Sequence, residues 1–125
     1  MLIPNLFVTM GRLKEYNING DISELINIIN PNARLSTTLD DLLSVLSKER
    51  KNYIEVGYGE TLPAAYRNAT ISDRKCRLVH VFCSHKNGIG IHEFHNFIKS
   101  LENDVTFGFT YDDTVDRVKL VMICN

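Results

Sequence analysis

The sequence predicts an α+β fold, a two-layer sandwich in which a four-stranded mixed sheet carries helices on one face. Three observations lead there. Four runs with the alternation or composition of strands, "NYIEVGYG", "CRLVHVFCS", "VTFGFTYD" and "RVKLVMICN", lie between residues 52 and 125. Two segments with apolar residues at helical spacing separate the first three runs. The 125 residues hold no internal repeat and no low-complexity linker, which is one domain's worth of chain and one modest core.

Residues 1–20 read as an N-terminal segment supplying an extra edge strand, and 21–125 as the domain proper. Within that segment, residues 2–9 favour strand by composition, and Pro4 confines such a strand to an edge or its first residues. In "DISELINIINPN", Asp21 or Gly20 caps a short helix with Ile22, Leu25, Ile26 and Ile29 on one face, which Pro31 stops. In "STTLDDLLSVLSKER", Leu39, Leu42, Leu43 and Leu46 recur at i, i+3, i+4 and i+7. Thr37 or Thr38 supplies the N-cap, acids three residues on complete a capping box, and the pattern predicts a helix over 38–49.

"NYIEVGYG" puts Ile54, Val56 and Tyr58 on one face of a strand that ends at the glycines, with Gly57 and Gly59 expected to turn the chain sharply. Thr61 and Pro63 open a helix over 60–71 whose Leu62, Ala65, Tyr66 and Ala69 form a thin stripe, and Ala64, Ala65 and Ala69 suit close approach to a sheet. "CRLVHVFCS" is a buried-type strand. "IHEFHNFIKSLEN" places Ile91, Phe94, Ile98 and Leu101 on one face of a helix over 91–102. The last two strands flank "DDTVD", read as a hairpin turn, and Phe107, Phe109 and Tyr111 alternate as a sheet face. Right-handed crossovers make the inner strands parallel, and the closing hairpin makes the sheet mixed.

Charge is balanced, with 14 basic residues against 15 acidic ones and no basic block, so the electrostatic footprint of a nucleic-acid binder is missing. Cys76, Cys83 and Cys124 are odd in number and lie in or beside apolar runs, which fits reduced thiols and a cytoplasmic setting rather than a disulfide framework. The opening "MLIPNLFVTM" lacks a basic n-region and a small-residue cleavage site and soon meets Gly11 and Arg12, so neither a targeting signal nor a membrane partner is expected.

From about residue 20 to residue 125 the order of elements resembles the C-terminal domain of FtsZ, the bacterial cell-division tubulin homologue, and of its plasmid- and phage-borne relatives. "DISELI" resembles the family's segment leaving the central helix, and "VGYGETLPAAYRNATIS" its strand, glycine, acid and alanine-rich helix. "RLVHVFCSHKNGIGIHEFHNFI" resembles the next strand, turn and helix, and "VTFGFTYDDTVDRVKLVMIC" the closing strands. The family's nucleotide-binding half has no counterpart, since neither "GYG" nor "NGIG" has a phosphate-cradling spacing. The resemblance therefore implies a chain that is no GTPase alone and binds no cofactor itself, with GTP held by a partner or by a missing half.

In this family a loop at the start of the C-terminal domain reaches the nucleotide site of the next subunit and polarises the attacking water. The positions that fall there are "NPNARLSTTLDD". Asp40 and Asp41 match the family's second acid, while a serine and a threonine stand where the first is expected. The resemblance thus implies Asp40 and Asp41 as residues assisting a neighbour's catalysis, and Asn32, Arg34, Ser36 and Thr37 as interface. It implies a polymer-forming domain of cell division or DNA partition, docking on FtsZ-like subunits or on itself and capping filaments when free. As plain sequence, both aspartates equally read as helix-start residues.

Other constellations are bland. His92 and His95 are i and i+3 on one helix and Cys83 and His85 end the preceding strand, but with His80 they reproduce no zinc spacing, and no metal is predicted. Asp112, Asp113 and Asp116 suit a polar turn. Cys83 and Cys124 end apolar runs without an activating base. The alternative is a small oligomeric enzyme or ligand-binding protein with sites between subunits, built from charged residues such as Arg67, Arg74 and Glu93; a third reading is a zinc-binding interaction module.

Overall fold

A computed structural model of the chain describes residues 6–29, 35–69, 74–87, 89–101 and 104–125. Its first element is a helix, α1 (Leu6–Leu13), where the sequence suggested a strand. Thr9 and Leu13, one turn apart, are both buried, and this tertiary contact outweighs the β-branched and aromatic composition of the segment. The edge strand exists but lies later, as β1 (Ile18–Asn19), parallel to the start of β2.

α2 (Ile22–Ile28) is capped by Asp21, whose carboxylate accepts from Ser23 N at 3.0 Å, and it buries Leu25 and Ile28. α3 (Leu39–Val45) begins with a capping box: Asp41 N donates to Thr38 Oγ1 at 3.1 Å, and Thr38 N donates to Asp41 Oδ2 at 3.0 Å. It stops short of the expected residue 49. The side chain of Asn52 receives Ser47 N–H at 2.8 Å and donates to Ser47 C=O at 2.8 Å, taking two backbone groups that a longer helix would need.

The remaining elements are β2 (Asn52–Gly59), α4 (Leu62–Asn68), β3 (Cys76–Cys83), a single 3-10 turn at His85–Asn87, α5 (Ile91–Ser100), β4 (Thr106–Tyr111) and β5 (Val118–Cys124). The five strands run in the order β1-β2-β5-β3-β4. β5 is antiparallel to both β2 and β3, while β1–β2 and β3–β4 are parallel. The sheet is mixed, as expected, by a different route. The last two strands are no hairpin: residues 112–117 carry the chain past the end of β3, and β5 inserts between β2 and β3.

The reason lies in composition. β5 and β3 are buried along almost their whole length on both faces, so each needs a neighbour on both edges and a layer on both faces. α4 and α5 pack Leu62, Ala65, Phe94 and Phe97 on Val79, Val81, Leu120 and Met122. On the opposite face Leu13, Leu25, Ile28 and Leu42 from α1, α2 and α3 pack on Leu78, Phe82, Val121 and Ile123. Helices therefore cover both faces, where the sequence suggested one.

Gly57 and Gly59 also differ in role from expectation. They lie within β2 without a positive φ, and what requires glycine is the approach of α4. A Cβ on Gly57 would come within 2.0 Å of Ala65 O, and one on Gly59 within 2.5 Å of Ala65 N. The alanines of α4 provide the other half of that contact.

Candidate functional site

The segment leading into α3 is held by the sheet. Leu35 pairs with Phe109 of β4, each backbone N–H donating to the other's C=O at 3.0 Å, so the chain arrives at α3 tied to the outer strand. Two residues on, Thr37 is buried and its Oγ1 is hydrogen bonded to His80 Nδ1 at 2.8 Å. The other ring nitrogen, His80 Nε2, is hydrogen bonded to Thr110 Oγ1 at 2.7 Å. Burial lowers the His80 pKa to about 3, so the imidazole is neutral. Gly108, opposite His80 in the β3–β4 register, leaves room for this: a Cβ there would meet both His80 Nδ1 and Thr37 Oγ1 at 2.4 Å.

This anchoring separates the two aspartates. Asp41 is spent on the capping box with Thr38. Asp40 is exposed on the first turn and makes no hydrogen bond or ion pair among the described residues. Ser36 is exposed and Thr37 faces inward to His80, so of this pair only Ser36 is placed at the surface. Asn32 and Arg34 lie outside the described residues. His80, Thr110, Gly108 and Leu35 had no place in the predicted site. The signals that could have found them are one histidine in an otherwise apolar buried strand and one glycine interrupting an aromatic alternation.

The histidines and cysteines do not assemble. His80 is internal, His92 and His95 are exposed on α5, and no three His, Cys, Asp or Glu side chains converge as metal ligands among the described residues. His85 instead stacks on Tyr111 at 4.3 Å, and its Nδ1 lies 3.0 Å from Asp113 Oδ1. Asp113 also accepts from the His85 backbone N–H at 2.9 Å, and these bonds hold its carboxyl below the usual range. Asp112 accepts from Thr114 N and Oγ1, so both acids order the β4–β5 connection. Cys83 is buried and its thiol is pushed up to about 11, far from a reactive thiolate at neutral pH.

Arg67 and Arg74 do meet, on the wall of a cavity of about 420 Å³ between α4, α5 and the start of β3, which Pro63, Tyr66, Cys76 and Phe97 also line. Glu93 is not part of that wall. Arg74 is already engaged, with Glu55 at 2.8 Å and stacked 3.6 Å over the Tyr53 ring. No helix among the described residues is long and apolar enough to cross a membrane.

No protein family's model matches the chain, and no curated protein does. Solved structures do. An empty FtsZ dimer from M. jannaschii superposes with a TM-score of 0.63 at 14% identity, over 82% of this chain and 35% of that one. A point mutant of M. jannaschii FtsZ gives 0.60 at 13% identity, over 83% of this chain and 36% of that one. The chain has the fold of an FtsZ-like C-terminal domain, as the resemblance implied, and spans about a third of the length of the FtsZ chains it matches.

Proposed function

We propose that this chain is a polymer-forming domain of FtsZ type, which docks through the segment before α3 on the nucleotide-bearing face of a neighbouring FtsZ-like subunit or of a second copy carrying that face. The observation that carries the reading is the division of labour at the start of α3. Leu35 and Thr37 fix the segment to β4 and β3, Asp41 fixes the helix start, and Asp40 is left exposed on a rigid base. A carboxylate meant to orient a water on a neighbour needs this preorganisation, because a loosely held group loses most of the advantage of proximity. The fold likeness to an FtsZ dimer supports association of the same kind.

In this reading GTP belongs to the partner's face, Asp40 is the assisting acid, Asp41 positions it, and Ser36 lies at the rim of the contact. A domain that docks without offering a nucleotide face of its own caps a filament. The test is sedimentation of a GTP-loaded FtsZ-type partner with and without this chain. Shortened polymers are the expected result, with Asp40→Ala still shortening them but lowering GTP turnover at the docked face. Polymers unchanged by an excess of folded chain overturn the proposal.

A further inference from the structure

Cys76 and Cys124 are direct partners across the β3–β5 ladder, on the face covered by α4 and α5. At the adjacent position Asn125 N donates to Lys75 O at 3.0 Å, which leaves the two cysteines as a non-hydrogen-bonded pair, the kind with the more closely spaced side chains. Opposed Cα atoms in such a pair lie about 4.5 Å apart, at the short end of the range that a disulfide spans. The Cys76 thiol donates to its own strand, to Leu78 O at 3.6 Å, and both sulfurs are buried on the same face. A register shift between Cys76 and Leu78 gives β3 local slack at this point.

The pair also has an approach. Cys76 lines the cavity of about 420 Å³ walled by Arg67, Arg74 and Tyr66, whereas Cys83, the third cysteine, does not. We propose that Cys76 and Cys124 form a dithiol modification site, oxidised to a reversible cross-strand disulfide by small hydroperoxides entering through that cavity.

Atoms and electrons balance in two steps. The thiolate of one cysteine of the pair attacks one oxygen of hydrogen peroxide, the O–O bond breaks, and the departing hydroxide takes a proton to leave as water, giving the sulfenic acid. The sulfur of the other cysteine then attacks that sulfur, the S–O bond breaks, and the hydroxide leaves as water with the second thiol's proton. Two thiols lose one electron each and one hydroperoxide is reduced. Cross-strand geometry strains the product, and strained disulfides are the more readily reduced ones.

The experiment treats the 125-residue chain with hydrogen peroxide, then maps cysteines by peptide mass spectrometry. The expected product has lost two hydrogens, retains one titratable thiol of three, carries a peptide linking Cys76 to Cys124, and returns to the starting mass with dithiothreitol. Cys83→Ser should behave as the parent, and neither Cys76→Ser nor Cys124→Ser should give a product that has lost two hydrogens. Oxidation of Cys83 ahead of the pair, absence of the linked peptide, or a product that dithiothreitol does not restore would each overturn the proposal. The parent chain supplies these readouts even where a variant fails to fold.

Discussion

Two buried polar hubs, His80 and Asn52, tie irregular chain to the sheet in different ways. Asn52 is fully buried and uses its amide completely. Oδ1 accepts from Ser47 N and from Asn125 Nδ2 at 3.0 Å, while Nδ2 donates to Asn17 O at 3.0 Å and to Ser47 O. The His80 ring has two hydrogen-bond partners among the described residues, Thr37 and Thr110, through a group that can take a proton. Asn52 closes the β1–β2 edge with many bonds and no charge state to lose. His80 holds the proposed docking segment with few bonds and depends on staying neutral. Rigidity by redundancy stands at one place and rigidity that pH can loosen at the other.

The largest expected effect breaks the redundant hub. Asn52→Ala strands Ser47 N and Ser47 O at a half-buried place, while Asn17 O keeps the backbone N–H of residue 52 and Asn125 Nδ2 keeps Val45 O; it should cost about 3 kcal/mol of stability by urea unfolding, since each orphaned group costs about 1–3 kcal/mol. Next is Gly108→Ala, which drives a methyl into His80 and Thr37 and should cost about 2 kcal/mol by overpacking, with the docking segment displaced in NMR spectra. If Gly108→Ala left both stability and the segment untouched, the His80 hub would not be positioning anything.

The smallest effect sharpens the contrast through pH. His80 has a folded pKa of about 3 against 6.5 for the free side chain, so below pH 6.5 the unfolded chain takes up a proton that the folded one refuses. Its contribution is complete above pH 6.5 and is lost as pH falls toward about 3, by up to about 1.4 kcal/mol per pH unit. Unfolding curves at pH 7 and pH 5 should show this loss, and His80→Gln should flatten it. Equal slopes in parent and variant would remove His80 as the source.

What was legible in the sequence was local. The Thr38–Asp41 capping box, the Asp21 cap and the strand character of 52–59 and 76–83 are set by neighbours within four residues, and the structure has them. What was illegible was long-range. The place of β5 between β2 and β3 depends on two partners distant in sequence, and the end of α3 at Val45 depends on Asn52, which lies beyond the helix. The helix at Leu6–Leu13 was misread because its composition favours strand while its buried positions follow a helical period. At the candidate site, the aspartates were visible as residue types, but the assignment of one to capping and the other to the surface required the geometry.

The position of β5 also sets a timetable for synthesis. Once residue 111 has been translated, every described element but β5 has been made, yet β2 and β3 each still lack the neighbour that lies between them. Until residues 118–124 join, the described strands form two half-sheets, β1–β2 and β3–β4, each with an inner edge of unpaired backbone N–H and C=O groups. β5, by zipping into the gap, closes both edges at once.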